Sequence, residues 1–427
     1  MNQNLHHVSA RAFWLVQLVC VAALGVVVSG VAASSAVTAP IVGKYVPPVI
    51  PIPRTEPLRL APLYNEPSLV SDDELGKVLA QVRPRFEQTK LRPNFVEHAL
   101  RAWGVDAEFG DKRVMSGRAM KDFLVDHGKW LAAWGADTVP LLNDADLGVN
   151  IRWGLEEGGS VHHDHWLACL TEAGVKLDEP VFTPSHKVHT IADVIEQSLR
   201  DFRVDERETE WSAMAFGLWI VPEKSWRTVD GRVVNFDMLA RRLIRGHKRF
   251  GVCNGTHRLY SMMLLYRLDD EYNILSKEVR TEIHDHLMGV RDNLIASQFE
   301  DGHWPTNWMD GKSAVEKPVD DPLYRKVIAT GHHIEWMGIA PREFHVPRPQ
   351  LEKAFRFIID TTNSRPTEEV LGHYTFYSHV VAALSNWRGT RAADFWRTYE
   401  AAHPEVNTVE VKAVSGSENR SPAPAAH

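Results

Sequence analysis

The 427 residues are 44% hydrophobic and 24% charged, enough apolar material for one large core or two modest ones. A formal net charge of −7 with no basic block excludes a chain built to neutralise a nucleic-acid backbone. Three cysteines, with Cys20 in an apolar leader, exclude a disulfide framework and make Cys169 and Cys253 buried small apolar residues.

After a short segment, residues 1–12, the stretch 13–33 runs for 21 residues without a charge. As a helix rising ~1.5 Å per residue it matches a hydrocarbon layer ~30 Å thick. Arg11 in front of it favours a single-pass anchor that binds the membrane and leaves the rest of the chain outside the cytoplasm. Ser34-Ser35-Ala36 also fits cleavage of a signal peptide, which would give a secreted or periplasmic protein. Residues 34–70 read as a linker, since eight prolines between 39 and 67 favour an extended polyproline strut. The tail, 406–427, is polar, rich in small residues and expected to be disordered.

The intervening 71–405 reads as all-α. Ser71 with Glu74, and Thr190 with Asp193, form capping-box patterns at helix starts. In 276–298, Val279, Ile283, Leu287, Val290 and Leu294 trace a single helix face. Further helices are expected at 94–103, 117–134, 162–173, 208–221, 236–246, 256–268, 326–339, 349–362, 374–387 and 391–401. Only the short run 231–236 suggests a strand. About thirteen helices with short and medium loops suit a closed ring of helical hairpins, although a bundle or a solenoid would use the same periodicity.

Behind the 276–298 helix stand Leu294, Gln298, Gly302 and Trp304. Their spacing resembles the QW motif of squalene cyclases and is similar to a segment of protein prenyltransferases. The resemblance implies an α/α toroid in which Gln and Trp tie a helix end to its neighbour. Neither DxDD nor DDxxD is present, so it implies the scaffold and not cyclisation. A second segment, TGHHIEWMGIAP at 330–341, resembles the GHxxEW element of the N-acylglucosamine and cellobiose 2-epimerase families, also α/α toroids. That resemblance implies an acid/base role for His332, assisted by Glu335, with Trp336 as a sugar-stacking face.

Other polar residues join this expectation. Cys253 and His257, four apart, have a spacing that zinc accepts, with further ligands to come from His332 or His373, although no metal set is assigned. Asn254, His257 and Tyr260 resemble, in residue type, the inventory of toroidal polysaccharide lyases. His373 and Tyr377 share a helix face and are the expected partners of His332, with His379 nearby. The run His162, His163, Asp164, His165 reads as a solvated helix start, and His284 and His286 as surface groups.

The expected site therefore has His332, Glu335, His257, His373 and Tyr377 as catalytic groups, and Trp304, Trp336 and Tyr260 against the substrate. The function expected is His-mediated acid/base chemistry on a carbohydrate-like or isoprenoid-like small molecule or glycan. The alternative is a non-catalytic toroid that holds a polymer or protein partner in the cell envelope.

Overall fold

The computed structural model of the protein describes residues 49–51, 53–246 and 253–408. The expected segment 13–33, most of the tail and part of the linker lie outside the described residues. Among those described, no helix is long and apolar enough to cross a membrane.

Helices dominate, and their burial sorts them into two kinds. The first kind has one apolar face. It comprises α1 (Asp72–Gln81), α6 (Ile191–Asp201), α8 (Phe236–Arg245), α10 (Lys277–Ser297) and α13 (Arg348–Ser364). On α10 the buried face is the predicted set Val279, Ile283, Leu287, Val290 and Leu294, because residues three and four apart lie on one side of a helix. The capping boxes form as expected: Ser71 N–H donates to Glu74 at 2.9 Å and Thr190 N–H to Asp193 at 2.7 Å.

The second kind is buried on nearly all sides, as a helix must be when neighbours surround it. These are α2 (Pro93–Trp103), α5 (His165–Ala173), α7 (Glu210–Ile220), α9 (Thr256–Tyr272), α12 (Leu323–Gly338) and α15 (Tyr374–Trp387). They pack in succession: α2 on α5, α5 on α7, α7 on α9, α9 on α12, α12 on α15, and α15 back on α2. One-faced helices lie outside them, with α8 against α7 and α9, and α13 against α12 and α1.

The expected helix 117–134 is two helices, α3 (Gly117–Val125) and α4 (His127–Trp134). Asp126 breaks the run in an extended conformation and turns its carboxylate onto the N–H groups of Gly128 and Lys129, capping the second helix. Short α11 (Lys312–Glu316), α14 (Thr367–Gly372) and the terminal α16 (Ala392–Ala402) complete the helices. Three hairpins of three-residue strands interrupt them: β1–β2 (Leu142–Asp144, Val149–Ile151), β3–β4 (Pro180–Phe182, Val188–Thr190) and β5–β6 (Ser225–Arg227, Val233–Asn235). Only the last contains the predicted strand.

The described part of the proline-rich segment is laid on the helices. Val49 bridges Arg227, Arg54 N–H and Leu58 N–H donate to the carbonyls of Trp219 and Leu218, and Tyr64 stacks on Trp387 at 5.0 Å. Proline leaves few N–H groups to satisfy, and these find helix-end carbonyls.

Candidate functional site

Five of the six enclosed helices each turn one histidine toward the others: His98 from α2, His165 from α5, His257 from α9, His332 from α12 and His379 from α15. The sixth, α7, supplies Trp211, 4.3 Å from His165 and 4.4 Å from His257 between ring centroids. Between imidazoles, the centroids are 3.7 Å apart for His332–His379, 4.6 Å for His257–His332, 4.7 Å for His98–His165 and 5.3 Å for His98–His379. His162, just ahead of α5, lies 6.4 Å from His257 and pairs with Glu208.

The ring nitrogens are tied in a regular way. His379 Nδ1 is 2.8 Å and His332 Nδ1 3.3 Å from the same oxygen, Glu335 Oε2. A carboxylate only accepts, so Nδ1 of His332 carries its proton. At His379 the 2.8 Å carboxylate contact outweighs the 3.3 Å approach of the Arg101 guanidinium, which only donates, and places the proton on Nδ1 too, leaving both Nε2 atoms with lone pairs. His98 Nδ1–H likewise donates to the Asn94 carbonyl at 2.8 Å, and His165 Nδ1 pairs with Glu97. In contrast, Nε2 of His257, His332 and His379 is buried and meets no hydrogen-bond partner. A buried polar atom left unpaired costs ~1–3 kcal/mol, so three in one place need a reason.

Charges around the centre are matched. Arg101, from α2, pairs with Glu172 and, at 2.8 Å, with Glu335. Tyr260 O–H donates to Glu172 at 2.6 Å, and its ring lies 5.0 Å from the guanidinium. Burial opposes the Glu335 charge, yet Arg101 and the two imidazoles outweigh it and hold the carboxyl well below its ordinary range. Burial likewise opposes the Arg101 charge, but Glu172 and Glu335 hold it well above its ordinary value. Burial pushes Glu97 up to about 8, against the pull of Ser160 and His162. Burial drives His257 and His379 well below the ordinary imidazole value, and lowers His332 too. The centre is thus a group of neutral imidazoles beside one ionised carboxylate.

Access differs on its two sides. His257 and Cys253 each keep 8% of their surface, whereas His332, His379 and His165 keep 3%, 1% and 0%. On the far side of Glu335 a cavity of about 170 Å³ is lined by Arg101, Glu172, Tyr260 and Glu335, with Leu58 and Arg59 of the proline-rich segment in its wall.

Among the expected residues, His257, His332 and Glu335 meet in the centre, and Tyr260 reaches it through Glu172 and Arg101. His373 is half-buried and stacks on Tyr324 at 4.7 Å, while Tyr377 is enclosed, its hydroxyl pushed up to about 12 by burial. Neither has a ring contact with the centre's histidines. Trp304 and Trp336 are fully buried, so no face of either is free to stack on a sugar. Trp304 Nε1–H donates to the Leu294 carbonyl at 2.9 Å, and Trp336 Nε1–H to His333 Nδ1 at 3.1 Å. Gln298 donates to the carbonyls of Gly302 and Gln350, tying the end of α10 to α13. Gly302 holds φ +97°, and a Cβ there would sit 2.2 Å from the Lys353 carbonyl.

Sequence reasoning missed His98, His165, Glu97 and Arg101. His165 is a correction, being wholly enclosed and not part of a solvated helix start. The signal was present in FVEHALRAW, where charged residues sit among apolar ones on every side. Cys169 and Cys253 are free and buried, as expected.

Compared with known protein families, curated proteins and solved structures, the chain finds no match. The resemblances therefore stand on residues 294–304 and 330–341 alone.

Proposed function

We propose that this chain is an enzyme of α/α-toroid architecture whose reaction centre is the imidazole–carboxylate group around Glu335. The toroid is supported by the succession of enclosed helices that returns from α15 to α2, with one-faced helices outside four of them: α8 on α7 and α9, α13 on α12, and α1 on α15. The reading of an enzyme rests on one observation: helices far apart in sequence each spend a buried position on a histidine, and three Nε2 lone pairs remain unused. A core assembled for stability alone would place apolar side chains there. Imidazole nitrogens and a held carboxylate can take a proton from a small polar molecule, or hold an ion against it. The substrate reaches them on the side of Cys253 and His257, where accessible surface remains.

The test is turnover by the full chain and by His332→Ala, followed by NMR with a panel of aldoses, ketoses and uronic-acid oligosaccharides. The expected result is conversion by the native protein, reduced at least 100-fold in a variant with an unchanged circular dichroism spectrum. Equal conversion by both removes His332 from the chemistry. Binding of a glycan without conversion supports the non-catalytic alternative.

A further inference from the structure

We infer that the centre binds a divalent first-row transition ion, with zinc foremost, through Cys253, His257 and His332, and that Glu335 orients the imidazoles from behind. This goes beyond the reaction centre proposed above, whose imidazoles and carboxylate it uses, and it adds the sulfur of Cys253.

The first is convergence. One donor atom from each of Cys253, His257 and His332 lies within 4.8 Å of the other two, and all three side chains are buried. Around a tetrahedral ion such donors stand roughly 3.4–3.8 Å apart, so small side-chain movements close the set. His379, its ring 3.7 Å from His332, converges with His332 and Glu335 and not with Cys253, so the fourth position is left to solvent or substrate.

The second is tautomer. An imidazole that ligates through one nitrogen donates its other N–H to a carboxylate or carbonyl, which fixes the ring and raises its basicity. His332 and His379 do this with a single carboxylate oxygen of Glu335, and Arg101 keeps that carboxylate ionised.

The third is how the sulfur is placed. Asn254 and Gly255 both hold positive φ, +51° and +77°, and Thr256 returns its N–H and hydroxyl to the Cys253 carbonyl. Consecutive left-handed residues make a tight turn for which Asn-Gly is the preferred pair. That turn folds Cys253 against the first turn of α9, beside His257.

The donor set selects the ion. Thiolate and imidazole suit zinc and its transition-metal neighbours, whereas magnesium and calcium require oxygen ligands. Binding forms a metal–sulfur bond and releases the thiol proton to solvent, with no change in oxidation state.

The test uses the full chain. Elemental analysis after purification is expected to give about one transition ion per chain. Replacement by cobalt(II) is expected to produce a thiolate-to-cobalt charge-transfer band and the visible bands of a tetrahedral site. Cys253→Ser should abolish the charge-transfer band while Cys169→Ser retains it, and Glu335→Gln should weaken zinc binding ~10- to 100-fold. X-ray absorption on the native protein, which needs no variant to fold, should find one sulfur and several nitrogen ligands. Absence of bound metal in folded protein, a metal with no sulfur ligand, or a band that survives in Cys253→Ser overturns the inference. Turnover that depends on His332 without any metal would sink this inference and leave the reaction centre. A metal on these ligands without turnover would do the reverse.

Discussion

His332 and His333 are neighbours on α12, both enclosed, and they face different surroundings. His333 turns toward the tryptophan corner behind α10, where Trp336 N–H donates to its Nδ1 and Trp308 packs T-shaped at 4.6 Å. Its proton therefore sits on Nε2, which, like Nε2 of His332, meets no hydrogen-bond partner. His332 turns inward, gives its Nδ1 proton to Glu335 and leaves Nε2 bare. The two imidazoles are opposite tautomers. Burial alone does not separate a structural histidine from a functional one. What separates them is the company and the tautomer: His333 carries an N–H among tryptophans, whereas His332 carries a lone pair among other imidazoles.

Four measurements break or sharpen that contrast. The largest effect is expected for Arg101→Leu, which leaves Glu172 and Glu335 buried without their shared cation. Urea denaturation should show a loss of ~3–5 kcal/mol. A loss below ~1 kcal/mol would mean that Glu335 does not stay ionised. Next is His333→Leu, expected to cost ~1–3 kcal/mol because Trp336 N–H loses its acceptor, while any metal binding or turnover is unchanged. His332→Leu should cost a similar amount, since it removes a donor to the Glu335 carboxylate, yet it should abolish metal binding or turnover, which His333→Leu leaves unchanged. Were both substitutions to leave metal binding and turnover intact, the two faces of α12 would not differ in the way described.

The smallest effect lies outside both faces and gives the baseline. Glu74 is lowered to about 2 by its hydrogen bond to Arg356 and by its place in the α1 capping box. A lowered carboxyl stabilises the fold above its unfolded value near 4.5, and the contribution is lost as pH falls toward 2. Glu74→Gln should remove ~1 kcal/mol at neutral pH and flatten the acid limb of the stability profile between those values. A profile that stays as steep as that of the native chain would assign acid sensitivity to other carboxylates.

The enclosed helices were legible because long apolar-rich runs stand between loops carrying Gly, Pro and Asp, as in 326–339 and 374–387. The break at Asp126 was not, because apolar spacing runs through it and only the cap in Asp-His-Gly marks a new start. Three-residue strands are too short for alternation to register, so the first two hairpins left no periodic trace. In the site, His332 and Glu335 stood out through the GHxxEW resemblance, and His257 through its spacing from Cys253. His98 and His165 did not, since what makes them members of the centre is which helices flank α2 and α5, and no local pattern encodes that. His373 caps the start of α15 and also meets α12, but at Tyr324 in its first turn, whereas His379 meets it two turns further on, at His332.

The return of α15 onto α2 has a consequence for biosynthesis. His98 and His165 emerge from the ribosome with Glu97 already beside them, long before Glu335 and His379 are made. A chain that stops short of α15 lacks the helix that joins α12 to α2, so the ring of imidazoles is closed in one late step.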